Sequence, residues 1–198
     1  MTLIDLFTKT LYLASPIIFA ALLQGIVMKY DLLLCFKKPI DMGLTFRGKP
    51  LFGPNKTWRG LIISTIGAII FSYFIYYLYL NYKVFKKISI VDFYKVSPLH
   101  IGLALGIGTI LGELPNSFVK RQIGINAGKH GTGFLGIIFR IFDQIDLLLG
   151  VWLLLLFVPG FSVAKNTDIL IFSILFALVV HIIIAQIGYY LGMRKDRF

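Results

Sequence analysis

Five stretches free of formal charge divide this chain, and they limit its fold more than any other feature. They cover residues 10–28, 60–82, 96–112, 147–164 and 169–193, which are 19, 23, 17, 18 and 25 residues long. A helix rises about 1.5 Å per residue, so about 20 mostly apolar residues cross the hydrocarbon of a bilayer. The spacing therefore predicts an all-α polytopic membrane protein with about five transmembrane helices and short cytoplasmic loops. Charged residues make up only 15% of the 198, against about 25% in soluble domains. That leaves no separate soluble domain, and residues 1–198 read as one integral membrane domain. The first stretch exceeds the apolar core of roughly 7–15 residues in a cleaved leader, and no small-x-small site follows it. It reads as a span.

The excess of basic residues sets the orientation. Net charge is +11, and membrane proteins keep Lys and Arg in their cytoplasmic loops. Seven of the 20 basic residues lie in 29–59, four in 120–140 and three in 194–198. Placing these stretches inside puts fourteen on one side and six on the other. The N-terminus is then outside, the C-terminus inside, and the cytoplasmic loops are about 29–59, 113–144 and 194–198. The four lysines of 83–95 fall on the outer side and run against this trend. Basic residues scattered among loops form no nucleic-acid-binding face. Cys35 is the single cysteine, which excludes an internal disulfide and a cysteine-based metal site.

Carboxylates and cations collect on the predicted inner side. Glu113 follows the third apolar stretch, with Asn116, Ser117, Lys120 and Arg121 just beyond it. After a glycine-rich turn come Asp143 and Asp146, immediately before the fourth stretch. These are the two shortest apolar stretches, so their acidic ends are held at the membrane boundary. Residues 134–142 are apolar except for Arg140, which predicts a helix that starts before its charges. Asp143, Asp146 and Gly150 then share one helical face. Two carboxylates one turn apart suit Mg²⁺, which takes one or two carboxylates plus phosphate oxygens and water. The bland alternative is an internal ion pair, with Lys120 and Arg140 neutralising the acids.

The loop before the second stretch, 53–60, reads GPNKTWRG. Lys56 and Arg59 frame Thr57 and Trp58 where a helix begins, and helix starts favour anions. The Walker spacing is absent. Trp58 suits an interfacial anchor, and a basic juxtamembrane loop that only touches anionic lipid is the bland alternative. Tyr73, Tyr76, Tyr77, Tyr79 and Tyr82 read as an aromatic belt at the outer end of the second stretch. Gly102, Gly106, Gly108 and Gly112 allow close helix approach. His181 and Gln186 within the fifth stretch suit interhelical hydrogen bonds, and His130 a loop position.

GPNKTWRG (53–60), ELPNSFVKR (113–121) and FDQID before Leu147 to Gly150 resemble the CDP-archaeol synthase family, the archaeal-type branch of the membrane cytidylyltransferases. Ser117, Lys120, Arg121 and the Asp-x-x-Asp pair are similar to the phosphatidate cytidylyltransferase signature. The resemblance implies that CTP and a lipid phosphate react to a CDP-lipid and pyrophosphate. It implies Mg²⁺ on Asp143, Asp146 and Glu113, with Lys120 and Arg121 on the triphosphate. Asn55, Lys56, Thr57, Trp58, Arg59, Asn116 and Ser117 would bind nucleotide or lipid phosphate. An archaeol-type lipid phosphate or phosphatidate would serve as acceptor, at the plasma membrane. A small transporter would carry charges within its helices or show a repeat. A structural or lipid-binding membrane protein would not need acids clustered among cations. A CDP-alcohol phosphotransferase would carry an Asp-Gly and Ala-Arg pattern that is missing here.

Overall fold

The computed structural model describes residues 1–129 and 131–190, with side chains through residue 179. His130, the side chains of His181 and Gln186, and the basic stretch 194–198 lie outside the described residues. The described residues form five long helices. These are α1 (Leu3–Lys29), α2 (Trp58–Asn81), α4 (Pro98–Gln122), α5 (Gly133–Leu155) and α6 (Thr167–Tyr190). A short α3 (Lys83–Ile88) follows α2, and a two-stranded hairpin, β1 (Thr45–Phe46) and β2 (Lys49–Pro50), sits between α1 and α2. Helices α1, α2 and α4 are long and apolar enough to cross a membrane. Helix α5 falls outside that group because Arg140, Asp143 and Asp146 lie within its own length.

The helix starts follow from local chemistry. Thr57 caps α2, its hydroxyl oxygen accepting from the Gly60 N–H at 3.2 Å. Ser97 caps α4 ahead of Pro98, a first-turn position where a missing N–H costs nothing. Asp5 and Thr2 form a reciprocal capping box on α1. Helix α5 starts at Gly133, ten residues before Asp143, so the acids project from inside a helix as expected. The segment Glu113 to Arg121, expected in a loop, forms the last turns of α4 instead. The connection between α4 and α5 is only 123–132.

Glycines on α4 decide the packing. Gly102 and Gly106 lie against the backbone of Ile69 and Thr65 on α2. Gly108 and Gly112 lie against Val151 and Asp146 on α5, where Gly150 completes the crossing. Small residues let helix backbones touch, and van der Waals contact drives association in lipid. Ile101, Leu105, Val151 and Leu155 fill the core beside this crossing. Polar bonds tie the bundle together further out. Ser64 and Thr109 share a 3.0 Å hydrogen bond, Tyr12 donates to the Ile75 carbonyl at 2.9 Å, and Trp152 donates to Ser173 at 3.0 Å. Of the expected aromatic belt, Tyr73, Tyr77 and Tyr82 are exposed. Tyr79 is buried instead, donating to Asp92 at 3.2 Å.

Candidate active site

The α4–α5 crossing brings the two acidic segments together. One turn past Gly112, the Asn116 amide donates to Asp143 Oδ1 at 2.6 Å and to Asp146 Oδ2 at 2.8 Å. One nitrogen bridging both carboxylates means their oxygens converge on a single point. The Lys120 ammonium pairs with Asp143 and lies 5.8 Å from the centre of the Phe139 ring. Asp146 is 6% exposed and Lys120 also 6%, so the charges are held away from bulk water. The expected ion pair is therefore present for Lys120, without removing the second carboxylate from reach.

The basic loop forms the facing wall. Lys56 Nζ pairs with Glu113 Oε2. Lys49 donates to the Gln122 carbonyl and Gln122 donates to the Pro50 carbonyl at 3.2 Å, which docks the hairpin on the end of α4. Between the walls lies a cavity of about 330 Å³ lined by Asn55, Lys56, Glu113, Ser117, Lys120, Arg121, Asp143 and Asp146. Phe52, Ala127, Gly128 and Lys129 complete it.

Arg121 differs from the other cations. It is 9% exposed, and its buried Nε and Nη1 have no hydrogen-bond partner among the described residues. A buried charged donor without an acceptor is costly, and five N–H donors in a fork suit phosphate oxygens. Lys56 and Lys120 are each paired with a carboxylate; among the described residues Arg121 is not.

A second cavity, of about 520 Å³, adjoins the first at Asp146. Its walls are apolar side chains of α4 and α5, among them Leu111, Val119, Ile138, Phe142, Leu149 and Leu153. A polar chamber and an apolar groove thus meet at one carboxylate.

A family model described as CarS-like CDP-archaeol synthase matches residues 3–198. The chain belongs to the CDP-archaeol synthase family. The CDP-archaeol synthase of Archaeoglobus fulgidus is 28% identical, over 98% of this chain and 98% of its own length. That of Methanosarcina mazei is 29% identical, over 93% and 97%. That of Methanospirillum hungatei is 32% identical, over 79% and 87%. A solved intramembrane enzyme for archaeal membrane lipids biosynthesis shares the fold, with a TM-score of 0.53 at 19% identity over 86% of this chain and 89% of that one. The chain is a membrane protein of that fold.

Within this member of the family the expected residues divide into two groups. Asn55, Lys56, Glu113, Ser117, Lys120, Arg121, Asp143 and Asp146 line the chamber, and Asn116 bridges the two aspartates. Thr57, Trp58 and Arg59 do not line it. Thr57 caps α2 and Trp58 is exposed. Arg59 donates to Asp31 at 2.8 Å and to the Leu32 carbonyl at 3.0 Å, clamping the loop after α1. Glu113 faces Lys56, and among the described residues no three His, Cys, Asp or Glu side chains group as metal ligands. Sequence reasoning passed over Phe52, Gly128 and Lys129; the glycines and the lysine of the turn were the available signal.

Proposed function

We propose that this chain transfers the cytidylyl group of CTP to an archaeol-type lipid phosphate, releasing pyrophosphate, as a transferase of phospholipid biosynthesis. The observation that carries this reading is the junction at Asp146 of a cationic chamber with an apolar groove. A nucleoside triphosphate fits the first and an isoprenoid chain the second, so the lipid head reaches the nucleotide while its tails stay in hydrocarbon. Family membership supports the same reaction. Cytoplasmic placement of the chamber, in the plasma membrane with the N-terminus outside, is supported by the basic residues of 29–59 and 120–140.

The reaction needs alignment and charge neutralisation more than acid–base chemistry. A phosphate monoester has a second pKa of about 6, so the attacking lipid phosphate is already ionised at neutral pH. Its oxygen attacks the α-phosphorus of CTP, the bond to the bridging oxygen breaks, and pyrophosphate leaves with the electron pair. Arg121 holds the triphosphate, with Lys120 and Lys56 beside it, and Asn55 and Ser117 offer hydrogen bonds. Fixed cations at developing charge are the usual means of catalysing phosphoryl-type transfer. Convergence of Asp143 and Asp146 oxygens on one point, held here by the Asn116 amide with the Lys120 ammonium on Asp143, fits a divalent cation. Mg²⁺ bound by these two aspartates would polarise phosphate oxygens and offset their charge.

The test is pyrophosphate release by purified protein in detergent with CTP, Mg²⁺ and a panel of lipid phosphates. Release that requires 2,3-bis-O-geranylgeranylglycerol phosphate and stops on chelation is expected. Equal release with phosphatidate would move the assignment to an ester-lipid cytidylyltransferase. No release with any lipid would overturn it.

A further inference from the structure

Asp41 is a buried carboxylate with no part in the chemistry above. It is 5% exposed and lies in the stretch between α1 and β1. Its Oδ2 accepts from the Phe52 N–H at 2.9 Å and the Gly53 N–H at 3.0 Å, and its Oδ1 from the Gly43 N–H at 3.1 Å. Burial acts to raise its pKa, but backbone donors, Phe52 and Gly53 foremost, outweigh burial and hold it below the usual carboxylate range. The flanking backbone continues the same staple. Ile40 N–H donates to the Lys56 carbonyl at 2.7 Å, and Trp58 N–H to the Lys38 carbonyl at 3.0 Å.

The turn that Asp41 pins is the wall over Arg121. Gly53 has a φ of +90°, and a Cβ there would lie 3.5 Å from Arg121 Cδ and 3.7 Å from its Nε. Phe52, Asn55 and Lys56, which surround that glycine, all line the chamber. The guanidinium carrying the unpartnered donors is thus packed under a turn whose height is set by one carboxylate 12 residues earlier.

We propose that Asp41 is a positioning residue for the nucleotide. Resting on the reading of the chamber as the CTP site, it fixes the turn 52–56 and so holds Arg121 aimed at the triphosphate. The aspartates on α4's partner helix and the apolar groove lie outside its reach, so lipid binding is independent of it.

The test measures steady-state pyrophosphate release by the full chain in detergent, with CTP and 2,3-bis-O-geranylgeranylglycerol phosphate varied separately. Asp41→Ala is expected to raise KM for CTP by about 10- to 100-fold, the scale on which losing a hydrogen bond from a charged group such as Arg121 acts. Its KM for the lipid and its kcat at saturating CTP should stay within about threefold of wild type. Asp41→Asn retains one acceptor oxygen and should recover part of the CTP affinity; it also decides the matter if the alanine variant does not fold. A uniform fall in kcat with both KM values unchanged would overturn the proposal, as would an asparagine variant as defective as alanine. Absence of CTP-dependent release by the wild type would instead overturn the assignment of the chamber itself.

Discussion

The Asp146 carbonyl oxygen lies so close over Gly112 that a methyl group on that glycine would sit 2.0 Å from it. Gly150 is as tightly placed, its missing Cβ falling 2.2 Å from the Gly108 carbonyl oxygen and 2.4 Å from the Gly112 nitrogen. This contact sets the distance between Glu113 and Asn116 on one helix and Asp143 and Asp146 on the other. The same residues that bind the helices together gauge the chamber between them.

Gly112→Ala should therefore harm catalysis beyond its effect on folding. Neither backbone can yield locally, so α4 and α5 must separate. Overpacking of this kind typically costs about 1–3 kcal/mol, whereas a shift of about 1 Å between catalytic groups can cost about 100-fold in rate. Measured in detergent, the variant should remain folded with a lowered melting temperature, and kcat should fall by about 100-fold. Retention of more than half the wild-type rate would show that the crossing does not set the site.

Arg121→Ala removes a cation whose buried Nε and Nη1 have no hydrogen-bond partner among the described residues. A hydrogen bond to a charged group contributes about 1.5–3 kcal/mol, so affinity for CTP should fall by roughly 10- to 100-fold. Loss of Arg121 leaves no carboxylate without its partner, since Asp143 keeps Lys120 and Glu113 keeps Lys56. Thermal stability should be unchanged or slightly raised, because a desolvated charge has been removed. CTP binding by isothermal calorimetry, with the melting curve of the apo protein, separates the two effects.

The architecture was legible to the extent that it depends on local composition. Charge-free runs mark the long helices, and the expectation that α5 starts well before Asp143 rests on residues 134–142 alone. That Lys120, Arg121 and the aspartate pair gather in one place was legible because acids and cations concentrate at one predicted membrane edge, and they line one chamber. What stayed hidden depends on partners far along the chain. Arg59 looks like a phosphate ligand from its neighbours, yet Asp31, 28 residues away, claims it. Asp41 has no motif around it, and its role appears only when Phe52 and Gly53 fold back over it. A loop was expected from residue 113 because the charge-free stretch ends at Gly112, while α4 in fact continues to Gln122 with Pro115 inside it.

Asp31 gives the Arg59 clamp a pH signature. Hydrogen bonds from Arg59 first, then Lys37, lower the Asp31 pKa below 3.8. A depressed carboxylate contributes its stability above the unfolded-state value and loses it as pH falls through the lower folded value. Asp31→Asn should therefore melt below wild type at pH 7. The gap should persist down to about pH 4, the ordinary Asp range, and close only under more acidic conditions. A gap that is the same at pH 3 as at pH 7 would show that the carboxylate charge plays no part.

Glu113 offers the sharpest division between nucleotide and metal roles. Its carboxylate pairs with Lys56 on the basic loop, while Asp143 and Asp146 converge on Asn116 across the chamber. Mn²⁺ binding to the protein without CTP, followed by electron paramagnetic resonance, reads the cation site independently of turnover. Asp146→Asn should weaken Mn²⁺ binding by at least about tenfold. Glu113→Gln should leave it within about threefold and instead change KM for CTP, because Lys56 loses the charge that orients it. Double replacement of Lys56 and Glu113 by Ala should then cost less than the two single changes combined, since neither charge is left unpaired. If Glu113→Gln weakens Mn²⁺ as much as Asp146→Asn does, Glu113 is a third ligand and its pairing with Lys56 must open when the cation binds.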